Sequence, residues 1–327
     1  MKPKRHTLIS AAELAPHVGR KSIVLIDARG GKNPKEAYGL KHIKGARYVD
    51  LERDLSNIKK DLSKGGRHPL PSPSAFGKVL GKLGITPQSR VVVYDDKGGA
   101  NAAARFWWML RSIGHRRVQV LNGGLQAAER EGIPMSSTAP EFEPAPAYPA
   151  KEWLWPTATM ADVRTMQKER EADKSCYKMK YNVIMDAREV YRYKGQSEPI
   201  DLVAGSISYA INTPYTDTMD EQGIMLPTAE IREKYKDFLW DCSPMVHCGS
   251  GVTACHLILA LESARIEPPA LYVGGWSEYS RNKNKAMLSE SDEIWNEKEK
   301  RDEVFTKHGT VPDLHVERST VSYRIDL

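Results

Sequence analysis

The sequence predicts an α/β protein built from two copies of one parallel-sheet domain, and three observations carry that prediction. The tetrapeptide IDAR at Ile26–Arg29 returns as MDAR at Met185–Arg188, 159 residues further on. VQVLNGGL at Val118–Leu125 returns as PALYVGGW at Pro269–Trp276, 151 residues further on. Between each pair lies a short apolar run, VVVYD (Val91–Asp95) and PMVHC (Pro244–Cys248), followed by small residues and then a helix-like apolar stretch. The order strand, long excursion, strand, helix, strand is that of a parallel α/β sheet. Four-letter matches arise easily by chance, but matched order and spacing over most of each half imply duplication.

Taken in order, the elements are these. The N-terminal stretch MKPKRHTLISAAELAPHVG is basic, has no apolar signal core, and runs almost at once into helix-like sequence. Residues 1–135 form the first copy, in which the second apolar run ends at Asp95 and the helix reads AAARFWWMLRSIG. Residues 136–156 read as a linker, since six prolines fall between Pro134 and Pro156 and proline neither extends a helix nor donates to a ladder. Residues 157–285 form the second copy, whose helix reads TACHLILALESARI. Residues 286–327 form a C-terminal extension without a counterpart in the first half. In it a charged segment around 289–305 has helical character, and the last residues alternate like a strand.

Composition narrows the function classes. A formal charge of +6, with 48 Lys and Arg scattered among 42 acids, gives no concentrated basic face for nucleic acid, although a mildly positive field favours small anions. No apolar run approaches the ~20 residues of a membrane span. Four cysteines, Cys176, Cys242, Cys248 and Cys255, are too few for a disulfide scaffold, and none is spaced as CxxC, so neither a zinc site nor a dithiol is expected. These features suit a reducing compartment: a cytoplasmic location is expected, with a mitochondrial one as the alternative.

Cys248 is the residue with chemistry attached. It ends a strand, and Gly249-Ser250-Gly251-Val252-Thr253 leads from it into a helix. In an open α/β sheet the crevice beyond the strand carboxyl ends is where ligands bind. Glycines let successive N–H groups converge on one atom, and a helix N-terminus adds positive potential there. A thiol in that cradle is expected to be held as thiolate, below its ordinary pKa of about 8.5, and to attack a sulfur or phosphorus centre. Cys255, already inside the helix pattern, is the structural candidate; Cys176 and Cys242 are read as structural or surface residues. The first half, with Asp95 near the Cys248 position and a loop longer by about three residues, has the fold without the thiol. The cysteine loop itself is expected to face solvent.

These motifs resemble the tandem-domain rhodanese superfamily of sulfurtransferases over roughly residues 7–280. The resemblance rests on HIKGA (His42–Ala46), on ARFWWMLRSIGH with VLNGG in the first half, and above all on CGSGVTACH (Cys248–His256). It implies two tandem rhodanese-like domains, each a parallel sheet flanked by helices, and no cofactor. A basic pair after the cysteine suits thiosulfate, whereas Gly-Ser-Gly resembles the branch acting on 3-mercaptopyruvate. There the cysteine takes sulfur as a persulfide, pyruvate leaves, and a thiol acceptor such as thioredoxin collects the sulfur.

By the same resemblance Cys248 is nucleophile and carrier, and Ser250 relays a proton to the leaving enolate. Gly249, Gly251, Val252 and Thr253 line the substrate. EVYRYKG (Glu189–Gly195) points to Arg192 as the carboxylate grip, while Arg188, beside a strand's buried Asp like its twin Arg29, reads as structural. The family's second arginine falls at Asp201 here, a departure from the pattern. HPLP (His68–Pro71) and VDLE (Val49–Glu52) imply a relay of Ser250, His68 and Glu52, although the stretch between them is longer than usual by about five residues. Thiosulfate as donor is the alternative within the class. A cysteine phosphatase would need an arginine six positions after the cysteine, and Ala254 stands there.

Overall fold

The computed structural model describes residues 7–20, 22–172, 183–236 and 243–282. The expectations for Cys176, Cys242 and the C-terminal extension lie outside them. The first half contains β1 (Leu8–Ile9), α1 (Ala11–Leu14), β2 (Val24–Arg29), α2 (Pro34–Leu40), β3 (His42–Ile43), β4 (Arg47–Asp50), α3 (Pro73–Lys82), β5 (Val91–Tyr94), α4 (Ala102–Ser112), β6 (Val118–Leu121), α5 (Gly124–Arg130) and β7 (Met135–Ser136). The second contains β8 (Thr157–Ala158), α6 (Met160–Ala172), β9 (Val183–Asp186), α7 (Val190–Tyr193), β10 (Ala210–Asn212), α8 (Thr228–Tyr235), β11 (Pro244–His247), α9 (Thr253–Ser263) and β12 (Ala270–Tyr272).

The two sheets have one topology. In the first the strand order is β1-β6-β5-β2-β4, and in the second it is β8-β12-β11-β9-β10. Every neighbouring pair in both is parallel. Parallel strands are covered on both faces, which is why β5 reads as an unbroken apolar run and both β2 and β5 are buried at every position. A short antiparallel ladder of β3 with β7 is the addition in the first half.

The repeated Asp-Ala-Arg motif explains itself here. Arg29 Nε and Nη2 donate to Asp27 Oδ1 and Oδ2 at 2.7 and 2.8 Å, and Nη2 also donates to the Lys41 carbonyl at 2.6 Å. Arg188 repeats the fork, with Nη2 donating to Asp186 Oδ2 and to the Gly205 carbonyl, both at 2.7 Å. Each is a buried ion pair pinning the following excursion to the strand end, a role for which carboxylate and guanidinium must come together.

The equivalent helices α4 and α9 pack on one another. An element covered by its own sheet and by its twin has no face left for water, so α4 from Ala102 to Leu110 is buried throughout, Arg105 included. Residues up to Asn282 form one compact unit, and a core cluster runs from one half to the other. The proline-rich stretch has no regular element after β7 but is anchored: Ala145 and Tyr148 N–H donate to the Gly81 and Gly77 carbonyls of α3 at 2.8 and 2.9 Å. Its Trp153 and Trp155 pack edge-on or tilted against Phe76, Trp107 and Trp108.

Candidate active site

Cys248 follows the buried strand β11 directly and is 2% exposed. Residues 249–252 are buried as well, so the loop does not face solvent as its glycine content suggests. The cover is partly its own chain: Trp276 N–H donates to the Cys248 carbonyl at 2.9 Å and Ser277 N–H to that of Gly249 at 2.8 Å. Gly275, at φ +56°, makes this possible, since a Cβ there would lie 2.5 Å from the Cys248 oxygen. Gly124 plays the same part in the first half, where a Cβ would lie 2.5 Å from the Asp95 oxygen and Leu125 N–H donates to that oxygen at 2.9 Å. The doubled glycine of VLNGGL and LYVGGW is therefore a close-approach motif.

Asp95 shows what the cradle holds when there is no thiol. Its carboxylate is buried and accepts four backbone N–H bonds, from Lys97, Gly99, Asn101 and Ala103, at 2.9, 2.7, 2.9 and 3.1 Å. Burial pushes the carboxyl above its usual range while the four donors pull it down. The loop Asp95–Asn101 exceeds Cys248–Val252 by two residues, where three were expected. In the second half no acceptor among the described residues meets the backbone N–H groups of residues 249–252. A cradle that binds an internal anion in one half is open beside the cysteine in the other.

Ser250 is 4% exposed, and its Oγ is hydrogen-bonded to His68 Nδ1 at 2.7 Å, across 182 positions of sequence. Burial, with Arg67 and Arg105 nearby, lowers the His68 pKa to about 4 against the opposing pull of Asp201, so the imidazole is neutral at pH 7. Glu52 does not join them. It is exposed on the turn after β4, where Asp50 Oδ1 accepts the N–H groups of both Glu52 and Arg53 at 2.9 and 3.0 Å. That side-chain turn caps the strand end and directs residue 52 outward. No carboxylate among the described residues bonds the His68 ring, so the expected relay is corrected to a dyad of Ser250 and His68.

Arg105, the charge buried in helix α4, takes a place the sequence reading missed. It is fully buried; Nη2 donates to the His68 carbonyl at 2.9 Å and Nη1 to that of Gly251 at 3.3 Å. It ties the histidine loop to the cysteine loop and puts a positive charge beside Cys255 and Cys248. Cys255 Sγ donates to the Gly251 carbonyl at 3.2 Å, and burial pushes its thiol up to about 12, which leaves it protonated. Val252 precedes α9 and is buried; Thr253 opens the helix and is half-buried.

Arg192 lies in the last turn of α7, with Nη2 and Nε donating to Glu198 Oε1 and Oε2 at 2.7 and 3.2 Å. Asp201, in place of a second arginine, has a fully buried carboxylate. It accepts from Arg67 Nη1, from Arg281 Nη1 at 3.2 Å and from Arg192 Nη2 at 3.5 Å. Arg67 stands directly before His68 in GGRHPLP, and that adjacency was the available sequence signal. No three His, Cys, Asp or Glu side chains among the described residues group as a metal site requires, and no described helix is long and apolar enough to cross a membrane.

A thiol at a strand end, a loop whose N–H groups meet no acceptor among the described residues, and a serine bonded to a histidine from the twin domain make up a candidate site on a rhodanese-like fold. The model of the rhodanese-like domain matches residues 10–131. Over 281 residues the chain is 34% identical to a probable 3-mercaptopyruvate sulfurtransferase of Pseudomonas aeruginosa, covering 83% of this chain and 94% of that protein. It is also 34% identical over 258 residues to the thiosulfate sulfurtransferase of Mus musculus, covering 77% of this chain and 82% of that protein. The solved 3-mercaptopyruvate sulfurtransferase from Leishmania major superposes with a TM-score of 0.72 at 28% identity, over 89% of this chain and 79% of that one. The chain belongs to the rhodanese-like sulfurtransferase family.

Proposed function

We propose that the chain moves sulfur from 3-mercaptopyruvate to a thiol acceptor such as thioredoxin, with residues 157–285 as the catalytic domain and residues 1–135 as its support. The reading also has the protein act in the cytoplasm or the mitochondrion. The observation that carries it is the 2.7 Å bond between Ser250 and His68 in a cysteine loop without charged side chains at positions 249 and 250.

The Cys248 thiolate attacks the donor sulfur, the carbon–sulfur bond breaks, and its electron pair leaves on the pyruvate enolate. With Nδ1–H turned to Ser250, the hydroxyl proton passes to the enolate carbon, giving pyruvate. Nδ1–H restores the hydroxyl while Nε2 takes a proton from solvent, so the imidazole stays neutral. The persulfide then sits in the open N–H cradle, stabilised as an anion, until an acceptor thiolate takes the outer sulfur and Cys248 departs as thiolate.

Thiosulfate is the second reading, because the Arg67 and Arg192 guanidiniums lie beside Gly249 and would suit a dianion. The test compares kcat/KM for the two donors on one preparation. A clear preference for 3-mercaptopyruvate is expected; a preference for thiosulfate replaces the donor.

A further inference from the structure

We propose that Arg67, contributed by the half without the cysteine, supplies the second guanidinium that holds the donor's carboxylate, with Asp201 as its anchor. The inference rests on the reading of the donor as 3-mercaptopyruvate. An α-keto acid presents a carboxylate and a keto oxygen, and holding both calls for more than one cation. Arg192 alone is poorly placed for it. Its Nη2 and Nε are committed to Glu198, and its Nη1 lies 3.7 Å from Glu189, so two carboxylates already neutralise it.

The position nine residues on holds Asp201, whose charge would repel the donor if it stood alone. It does not, because Arg67, Arg281 and Arg192 all turn to it. Asp201 thus converts a site for one cation into a hub that gathers three.

Geometry selects Arg67 among them. Gly249 has no side chain, and a Cβ there would lie 3.1 Å from Arg67 Nη2, 3.3 Å from Arg192 Nη2 and 3.5 Å from Asp201 Oδ2. The two guanidiniums therefore converge on Gly249, the residue next to the nucleophile. Arg281, by contrast, is drawn to its own helix, with Nη1 on the Ser277 carbonyl and hydroxyl at 2.8 and 2.9 Å. Arg67 spends Nη1 on Asp201 and holds Nη2 against Gly249, the residue after Cys248. Its side chain is 20% exposed, within reach of a solute, where that of Arg192 is 8% exposed. Asp201 fixes the fork before substrate arrives, which limits the entropy lost on binding.

The experiment uses Arg67→Met, Arg67→Asp and the double variant Arg67→Asp/Asp201→Arg in the full chain. Steady-state kinetics, inhibition by pyruvate and thermal unfolding are measured for each. Losing one charge-assisted contact is worth about ten- to a hundredfold, so Arg67→Met should raise KM for 3-mercaptopyruvate and weaken pyruvate inhibition by that factor. Its kcat should stay within about threefold. Arg67→Asp should be worse, and the double variant should recover most of the loss, since a guanidinium again faces Gly249, now from the other half.

A purely structural role for Arg67 would lower Tm and leave KM and pyruvate inhibition unmoved, and that result overturns the proposal. So does a double variant as weak as Arg67→Asp while both retain the fold. Should the wild type use thiosulfate alone, the donor reading fails and the same variants are read with thiosulfate. An unchanged KM for the donor the enzyme uses then overturns the role of Arg67 as well.

Discussion

The loops that follow β5 and β11 are the same device filled in two ways. In the first half the strand end carries Asp95, and its carboxylate takes four backbone N–H groups from the loop. In the second half the strand end carries Cys248, and the loop's N–H groups meet no acceptor among the described residues. Everything around the two positions is shared: sheet order, the buried Asp–Arg fork one strand over, and the glycine that brings the next helix against the strand-end carbonyl. The lesson is that an anion cradle costs stability when left empty, since buried donors want acceptors. One copy has satisfied it permanently, and the other keeps it open for a persulfide.

The largest effect expected from this comparison is at the thiol. Cys248→Ser should leave a folded protein that forms no persulfide, read by mass spectrometry as absence of the roughly 32 Da gain for one sulfur. Cys248→Asp should be equally inactive but no less stable than the wild type, because its carboxylate can take the free N–H groups. A Cys248→Asp protein with a clearly lower Tm would show that the second loop is not the same cradle, and a 32 Da gain on Cys248→Ser would move the sulfur elsewhere.

Next in size is the reverse operation. Asp95→Ala leaves four N–H groups without their acceptor, those of Gly99 and Ala103 in buried bonds. At about 1–3 kcal/mol for each buried group, the variant should lose at least about 2 kcal/mol in urea unfolding. A loss under about 1 kcal/mol would mean that water replaces the carboxylate at little cost, and the comparison would lose its energetic basis.

The dyad makes a smaller but sharper expectation. A solvent-exposed histidine titrates near 6.5, and protonation would take away the neutral imidazole that serves Ser250. Burial and the two arginines hold His68 at about 4 instead. The folded state therefore resists protonation between pH 6.5 and 4, and kcat/KM should show no His68 step near 6.5. The unfolded chain binds the proton in that window, so His68 lowers stability as the pH falls through it. A step near 6.5 that vanishes in His68→Gln would show that the histidine is far more solvated than its surroundings imply.

The smallest effect should come from Glu52. On the surface and turned away by Asp50, it should tolerate Glu52→Gln with kcat/KM within about twofold of the wild type. A tenfold loss would restore it to the relay.

Much of the architecture was legible in the sequence, because duplicated order is a pattern along the chain. The strand, loop and helix around Cys248 and the structural part of Arg188 beside Asp186 follow from local chemistry and spacing; that the proline-rich stretch is anchored on α3 does not. The place of Cys248 at the end of a strand, before a loop and a helix, was also legible in the sequence.

What the sequence alone decided about this protein, then, is which residues exist at the ends of its strands: a thiol in one copy, a carboxylate in the other. Which partners meet them was decided only by the packing of α4 on α9. That packing brings His68 to Ser250 and Arg67 to Asp201, and stretches Arg105 between the His68 and Gly251 carbonyls. It also covers the loop that looked exposed. Glu52 was misread for the same reason: residue spacing along one chain predicts neighbours within an element, but contacts between halves depend on where the 51–72 loop lands. Periodicity and motif are properties of the chain, whereas a charge balance among three arginines and one aspartate exists only once two domains close over it.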